Sequence, residues 1–151
     1  MRHGQEHIDH DMVKIEVNLD DIPGEWLGHV MELLLKEGAN DVFYIPIYMK
    51  KNRPGTMLQV LCHESQKSGM MDIIFRETTT LGARYYPLSV KRLGRQFRKV
   101  ETPWGMVSVK EGLLEGKIVQ QAPEYSDCKA ISDKNSIPLK QVFQEVWKQL
   151  K

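Results

Sequence analysis

The sequence has few cysteines, no long apolar run and a net charge of only +1. Its two cysteines, Cys62 and Cys128, form neither a CxxC pair nor a disulfide framework, so we expect two reduced thiols without a chemical role. No apolar run is long enough to cross a bilayer, and the first residues lack the pattern of a signal peptide. These absences predict a soluble, cytoplasmic protein without a membrane partner.

Several common functional motifs are missing as well. The chain has no GxxxxGK[ST] loop, no GxGxxG fingerprint and no closed zinc-site spacing. Any nucleotide must therefore be held by side chains and turns. The small net charge does not indicate a nucleic-acid partner. His29, within a predicted helix, is interpreted as a surface residue.

The length of 151 residues fits one domain with a small appendage. Residues 1–11 contain three histidines but no apolar periodicity, and we interpret them as a flexible leader. A metal site shared by His3, His7 and His10 is the less favoured alternative, because a flexible terminus provides no preorganised geometry.

Residues 12–91 alternate between strand and helix patterns. Apolar residues alternate with polar ones up to Leu19, which predicts a strand, and a helical pattern then runs to a stop at Gly38. Two strands are predicted at 41–49 and 56–62, followed by a helix from Ser65 to Arg76 and a strand at 81–90. Pro46 indicates that the 41–49 strand lies at a sheet edge.

The resulting βαββαβ order predicts a ferredoxin-like α+β sandwich, in which two helices cover one face of a four-stranded antiparallel sheet. The other face stays open, either for a ligand or second subunit or as an ordinary solvated surface. We expect this open face to carry Glu16, Asn18, Asp20, Tyr44, Tyr48, Lys50 and Gln59.

Residues 92–151 predict a small C-terminal α+β subdomain. Thr102-Pro103-Trp104-Gly105 is a turn between two short strands, and 116–120 is a candidate third strand. A helix begins near Pro123, and an amphipathic closing helix begins at Pro138. The subdomain is thus predicted as a β-hairpin plus helices.

Two segments concentrate groups that bind phosphate. The turn between the strands at 41–49 and 56–62 contains Lys50, Lys51 and Arg53, which repel each other unless an anion or acidic partner is near. The segment 76–84 has an arginine at each end and three threonines between them. Guanidinium, ammonium and hydroxyl groups match the oxygens of a phosphorylated ligand.

Carboxylates beside these segments are candidate ligands for the divalent cation that usually accompanies a triphosphate. Asp20 and Asp21 end the first strand, and Glu77 precedes the threonines. Asp21 is equally suited to cap the helix that follows it.

These motifs together resemble the C-terminal region of the LarC family of nickel-insertion proteins. The resemblance covers nearly everything after the leader. It is carried by Asn18-Leu19-Asp20-Asp21, Met49-Lys50-Lys51-Asn52-Arg53-Pro54, Phe75-Arg76-Glu77-Thr78-Thr79-Thr80-Leu81-Gly82 with Arg84, Thr102-Pro103 with Gly105-Met106-Val107, and Pro123-Glu124-Tyr125 with Asp127-Cys128.

The resemblance implies a CTP-dependent nickel chelatase, or cyclometallase, of the lyase type. Such an enzyme inserts nickel into pyridinium-3,5-bisthiocarboxylic acid mononucleotide and so completes the nickel-pincer cofactor of lactate racemase. CTP with Mg²⁺ or Mn²⁺ is the implied cofactor. The family protein is much longer, so we expect the N-terminal region to be a partner, and this part alone to bind or hydrolyse CTP without complete nickel insertion.

The resemblance also implies roles for individual residues. The triphosphate is expected on cationic side chains with threonine and asparagine contacts, the base on a tyrosine and the divalent ion on a carboxylate. The catalytic cations are Lys50, Lys51, Arg53 and Arg76. The cofactor-binding residues are Tyr44, Tyr48, Asn52, Thr78, Thr79, Thr80, Arg84 and Lys110, and the metal candidates are Asp20, Asp21 and Glu77.

Two other functional classes compete with this interpretation. An RNA-binding module shares the βαββαβ order, but its third strand carries stacking aromatics, which residues 56–62 lack. A non-catalytic oligomerisation or regulatory domain would associate through the open sheet face and show no nucleotide dependence. Association and catalysis can coexist, and we expect a homo-oligomer.

Overall fold

Residues 9–90 form one of two units in the computed structural model, which describes residues 4–150. Four strands form a sheet in the order β2-β3-β1-β4, the order of a ferredoxin-like fold. The predicted fold class is confirmed, and so is the edge position of the strand containing Pro46. The elements are β1 (His7–Leu19), α1 (Gly24–Glu37), β2 (Asp41–Met49), β3 (Arg53–His63), α2 (Lys67–Glu77) and β4 (Arg84–Arg92).

The core of this unit lies between the sheet and its two helices. From Val13 to Leu19, alternate residues of β1 face the helices and are at most 2% exposed, as the period-2 pattern predicts. Helix α1 ends at Gly38, whose φ of 105° lets its N–H bond back to the last turn of the helix. The buried core residues are Val13, Ile15, Val17, Leu19, Val30, Leu34, Val42, Leu58, Val60, Cys62, Met70 and Ile74.

The strand register corrects the predicted faces of β2. Val42 pairs with Val60 and Tyr44 with Leu58, so these β2 residues lie on the helix-covered side. The open face instead receives Phe43, Ile45 and Ile47. The prediction that Tyr44 and Tyr48 lie on the open face was wrong, because both faces of β2 carry apolar side chains and its period does not reveal which one is covered.

The first strand begins earlier than predicted. It starts at His7, so residues 7–11, predicted as part of a flexible leader, lie within β1. Nδ1 of His10 is 3.3 Å from Oγ of Ser89 in β4. Pairing within the sheet outweighs the weak strand propensity of this polar segment. His3 lies outside the described residues, and residues 4–150 hold no group of three metal-ligating side chains.

The second unit comprises residues 4–8 and 91–150. The predicted hairpin is present as β5 and β6, and the candidate third strand is present as β7, so that the sheet has three strands in the order β5-β6-β7 with two helices after it. Its elements are β5 (Gly94–Thr102), β6 (Gly105–Leu114), β7 (Lys117–Pro123), α3 (Tyr125–Asn135) and α4 (Leu139–Gln149). Its core consists of Val100, Val107, Val109, Cys128, Ile131, Val142 and Val146.

One ionisable side chain, Glu111 on β6, is buried in the second unit with 1% of its surface exposed. Its carboxylate accepts hydrogen bonds from Gln96 at 2.7 Å and Gln121 at 2.9 Å, and Nε of Arg98 lies 2.8 Å away. The two amide donors, with the nearby guanidinium, hold the pKa of Glu111 below its ordinary value despite burial. The carboxylate therefore contributes to folding as an anion.

No helix in the described part of the chain, residues 4–150, combines the length and the hydropathy needed to span a membrane.

Candidate functional site

Strand β1 ends between two loops that are far apart in the sequence. The carboxylate of Asp20 lies 3.0 Å from the guanidinium of Arg53, at the start of β3. The next residue, Asp21, accepts a 2.6 Å hydrogen bond from the hydroxyl of Thr79 in the α2–β4 loop. One end of the four-stranded sheet thus gathers both segments that the sequence analysis assigned to phosphate binding.

The strand pairing accounts for this meeting. Leu19 at the end of β1 pairs with Thr56 near the start of β3, which brings the β2–β3 turn beside Asp20. Gly55 makes the close approach feasible, because a Cβ there would lie 2.9 Å from the carbonyl oxygen of Leu19 and 2.8 Å from the sulfur of Met49. A larger residue would push the turn away from β1.

The β2–β3 turn exposes its cations. Lys50–Asn52 form a single 3₁₀ turn in which Lys51 and Asn52 have positive φ angles of 60° and 56°. All three side chains are exposed, and neither lysine forms an ion pair within residues 4–150. Left-handed backbone at two successive non-glycine residues costs free energy, so the turn holds its charge towards solvent at the expense of stability.

The three threonines already donate hydrogen bonds within the protein. The hydroxyl of Thr78 donates to the carbonyl of Ile74 at 2.6 Å, and that of Thr80 donates to the carbonyl of Gly82 at 2.7 Å. Thr79 donates to Asp21, as described above. A phosphate oxygen would have to attract these protons away from their present acceptors, because each hydroxyl has only one to donate.

Arg76 and Glu77 line a pocket where α2 ends beside the start of α1. The pocket has a volume of about 340 Å³ and is lined by Glu25, Trp26, His29, Arg76, Glu77 and Thr78. Nε2 of His29 lies 3.5 Å from a carboxylate oxygen of Glu77. Arg76 forms no ion pair among the described residues 4–150. Its guanidinium is therefore available to a ligand.

Arg84 lies on the open sheet face within a polar network. Its Nε donates to Glu16 at 2.9 Å and its terminal nitrogen donates to Asn18 at 3.0 Å. Tyr86 donates a further 2.9 Å hydrogen bond to Glu16. These bonds, that from Arg84 foremost, hold the pKa of Glu16 below its ordinary value. Arg84 would have to leave two partners to bind a phosphate with its full guanidinium.

The two tyrosines predicted to stack on a base differ in their surroundings. Tyr44 donates a 2.6 Å hydrogen bond to the carbonyl of Leu27 in α1 and packs against the core. Burial raises the pKa of Tyr44 to about 12. Tyr48, next to the basic turn, is 79% exposed. Only Tyr48 is free to stack on a ligand.

The three candidate metal ligands have separate partners. Asp20 pairs with Arg53, Asp21 accepts from Thr79, and Glu77 lies near His29. No side chain caps α1, so the alternative capping role of Asp21 is not observed. Within residues 4–150, no three metal-ligating side chains converge. A divalent ion would need most of its ligands from water or from a bound anion.

Lys110 belongs to the second unit, on β6. Its ammonium lies 3.6 Å from the carboxylate of Glu124, which precedes α3. The side chain of Lys110 is 46% exposed and that of Glu124 is 33% exposed, so this ion pair remains accessible to solvent. The ligand contact predicted for Lys110 stays a prediction.

Sequence reasoning missed Trp26 and His29 as pocket residues. The interpretation of His29 as a surface residue is confirmed, because its side chain is 57% exposed. The available signal was a tryptophan outside the apolar stripe of α1, which runs through Leu27, Val30 and Leu34. Trp26 is accordingly 49% exposed. Trp26 lines the same pocket as the end of α2 because of the way in which the two helices pack. A one-dimensional sequence pattern holds no information about that packing.

The family model described as nickel insertion protein matches residues 1–143. A Thermotoga sp. (strain RQ2) protein named pyridinium-3,5-bisthiocarboxylic acid mononucleotide nickel insertion protein is 45% identical over 137 residues, which are 90% of this chain and 34% of that protein. A putative nickel insertion protein of Myxococcus xanthus is 42% identical over 129 residues, covering 85% of this chain and 33% of that protein. The chain spans about a third of the length of these curated relatives.

Two solved structures share this fold over nearly the whole chain. LarC2, the C-terminal domain of a cyclometallase involved in the synthesis of the NPN cofactor of lactate racemase, matches in its apo form with a TM-score of 0.89 and 39% identity. That match covers 97% of this chain and 99% of that one. Protein MK0293 from Methanopyrus kandleri AV19 has a TM-score of 0.66 and 27% identity, covering 92% of this chain and 87% of that one.

Proposed function

This chain belongs to the nickel insertion protein family, and from that premise we propose that it is the CTP-binding, metal-dependent C-terminal part of a nickel insertase. The substrate is a pyridinium bisthiocarboxylate mononucleotide, the class of compound in the names of its relatives. Nickel is the inserted metal, and the product is the nickel-pincer cofactor of lactate racemase. The enzyme is a CTP-dependent cyclometallase of the lyase type.

The proposal rests on two segments that meet at the end of β1. One is the basic β2–β3 turn with Lys50, Lys51 and Arg53, and the other is the α2–β4 loop with Thr78, Thr79 and Thr80, hereafter the threonine loop. The contacts of Arg53 with Asp20 and of Thr79 with Asp21 anchor both segments to adjacent residues. Beside them, the exposed ammonium groups of Lys50 and Lys51 lack a protein counter-ion within residues 4–150. A polyphosphate is a ligand that satisfies several such cations at once.

The residues present suit a nucleotide triphosphate with Mg²⁺ or Mn²⁺. Such ions are usually held by one or two carboxylates together with substrate phosphates and water, and Asp20, Asp21 and Glu77 offer carboxylates singly. When bound, CTP supplies phosphoanhydride bonds whose cleavage accompanies nickel insertion. Lys50, Lys51 and Arg53 would hold its phosphates and stabilise developing negative charge, and Arg76, the fourth predicted cation, lines the neighbouring pocket with Thr78.

The surrounding side chains supply weaker contacts. Asn52 donates to phosphate oxygens, and the hydroxyls of Thr78, Thr79 and Thr80 do so if they exchange their present acceptors. Arg84 remains a candidate ligand on the same condition. Tyr48 is the residue we propose for base stacking, because it is exposed next to the basic turn.

The rest of the enzyme is a further requirement of this proposal. Because the curated relatives are about three times as long as this chain, nickel insertion requires the N-terminal region as a partner. The chain alone is expected to bind CTP, and to hydrolyse it, without completing insertion.

Association through the open sheet face is favoured by one specific observation. Phe43 and Ile45 on the edge strand β2 are 37% and 38% exposed, and the neighbouring Ile47 also lies on this face. Apolar side chains at an exposed edge favour contact with a second copy. We therefore retain both a homo-oligomer and, as the alternative function, a non-catalytic oligomerisation or regulatory domain. Light scattering on Phe43→Lys against the unsubstituted chain tests the oligomer, which a monomeric unsubstituted chain would refute.

Calorimetric titration of the 151-residue chain with CTP and Mn²⁺ tests the nucleotide function. Replacing Lys50 and Lys51 together by alanine should weaken binding by on the order of a hundredfold, since each lost charge-assisted contact is worth about 1.5 kcal/mol. The matched control replaces Lys134 and Lys140, two exposed lysines of the second unit. Equal affinity for both double variants would remove the phosphate role of the turn.

A further inference from the structure

The pocket at the ends of α1 and α2, hereafter the α1–α2 pocket, has a chemical composition of its own. Its 340 Å³ volume is at the small end of the range for small-molecule sites and is sufficient for one ring system. Trp26, Glu25 and His29 come from the first two turns of α1, and Arg76 and Glu77 from the last turn of α2. The contact of His29 with Glu77 at 3.5 Å joins the two sides.

An aromatic surface is the first recognition element of this pocket. The indole of Trp26 is 49% exposed although most apolar residues of α1 face the core. An exposed indole lining a cavity offers a flat surface on which a planar ring can stack. A ligand with a ring is therefore favoured over a free inorganic anion.

The charges around the indole select between kinds of ring. Glu25 and Glu77 place two carboxylates in the lining, and tryptophan attracts a cation over its face. A cationic ring is therefore preferred to a neutral one. Arg76, the one arginine in the lining, has no ion pair among residues 4–150 and can hold an anionic substituent of the same ligand.

We propose that the α1–α2 pocket binds a cationic aromatic ring bearing an anionic group, the chemistry of a pyridinium mononucleotide. Trp26 stacks on the ring, Glu25 faces its positive charge, and Arg76 holds the phosphate or carboxylate. The choice of a pyridinium compound rests on the proposed function. The pocket follows directly on the threonine loop through Thr78, so the mononucleotide lies beside the segment assigned to the triphosphate.

Nicotinic acid mononucleotide, which has a pyridinium ring, a ring carboxylate and a phosphate, is a suitable probe. Titration calorimetry on the full chain should show saturable binding. Phenyl phosphate also has a phosphate but a neutral aromatic ring, and it should bind at least about fivefold more weakly, as expected for a lost cation–π contact of about 1 kcal/mol. Equal binding of the two probes would overturn the assignment of a cationic ring.

Variants of the pocket separate its two recognition elements. Trp26→Ala should weaken the binding of nicotinic acid mononucleotide by on the order of tenfold. Trp26→Phe keeps an aromatic face and should weaken this binding less. Trp147→Ala is the matched control, because that residue is also on a helix and is 45% exposed in the second unit. Arg76→Ala should weaken both probes, with Arg95→Ala as its control.

The results distinguish this inference from the proposed function. Suppose that the Lys50 and Lys51 double variant loses CTP binding, while Trp26→Ala and Trp26→Phe bind nicotinic acid mononucleotide with the affinity of the unsubstituted chain. The pocket assignment is then wrong and the nucleotide function stands. If the unsubstituted chain does not bind nicotinic acid mononucleotide at millimolar concentration, the assignment is also overturned. Circular dichroism of each variant confirms that it is folded.

Discussion

Arg53 and Asp20 form an ion pair 3.0 Å long that joins the β2–β3 hairpin to the end of β1. The arginine side chain is 53% exposed and the aspartate 21% exposed, so solvent reaches the pair. Pairs of this kind contribute little to folding. Its importance lies in where it places a guanidinium, beside the exposed lysines of the turn.

Arg53→Ala is accordingly expected to separate stability from binding. The free energy of unfolding should fall by less than about 1 kcal/mol, because the ion pair is solvated. Affinity for CTP with Mn²⁺ should fall by on the order of tenfold as a charge-assisted contact is lost. Urea denaturation and calorimetry measure the two quantities. A large loss of stability with unchanged affinity would assign Arg53 to folding alone.

Tyr44 and Tyr48 are predicted to have opposite roles. Tyr44→Phe should lower stability by about 1 kcal/mol, because the partly buried hydrogen bond to the carbonyl of Leu27 is lost, and should leave CTP affinity unchanged. Tyr48→Ala should leave stability unchanged and weaken CTP binding by about 1 kcal/mol or more, because stacking on the base is lost. Denaturation and calorimetry on both variants check this. Weaker CTP binding by Tyr44→Phe would contradict it.

The alkaline pH dependence should also change in Tyr44→Phe. Burial raises the pKa of Tyr44 to about 12 in the folded chain, above the ordinary value of about 10. Its contribution to stability is thus complete below about pH 10 and is lost as the pH rises towards 12. The phenylalanine variant should lose less stability over this interval than the unsubstituted chain.

Lys51→Gly should stabilise the fold while impairing the site. Lys51 has a φ of 60°, a conformation that glycine adopts without steric cost, so stability should rise by up to about 1 kcal/mol. Removal of the ammonium should weaken CTP binding. Thermal unfolding and calorimetry measure the two effects. Lys50→Gly is the control, because glycine gains no comparable advantage at a residue with negative φ.

Glu111→Gln should reduce stability by about 1 to 3 kcal/mol at neutral pH, because bonds to an anion are replaced by weaker ones and one amide donor is left facing another. Since the folded pKa of Glu111 is lowered, its contribution is complete above the ordinary carboxyl value of about 4.3 and is lost as the pH falls below it. Denaturation between pH 7 and pH 3 should therefore show a shallower decline in the variant.

The alternation in β1 allowed the sequence to predict a one-sided sheet, because only one set of its residues is apolar. In β2 both sets are apolar, and the covered face is decided by pairing with β3. The register that places Tyr44 opposite Leu58 depends on contacts distant in sequence. Sequence reasoning therefore predicted the order of elements correctly, but it assigned the β2 residues Tyr44 and Tyr48 to the wrong face.

In the candidate site, too, local sequence revealed the residue types but not the contacts between distant segments. The chemical types at Lys50, Lys51, Arg53 and the threonines were recognisable from their local concentration. Their anchoring by Asp20 and Asp21, and the indole beside Arg76, were not. Both depend on strand ends and helix ends meeting in three dimensions, and the exposed Trp26 is the only local sign of a second recognition surface on α1.

The anchoring of two loops by the two successive residues after β1 also makes the length of the chain at this point important. Asp20 and Asp21 lie in the bend that follows β1, and each side chain reaches one loop. A single inserted or deleted residue here would displace both carboxylates from their partners and detach both loops together. We therefore expect an insertion or deletion at the carboxyl end of β1 to be more damaging than a substitution of either aspartate.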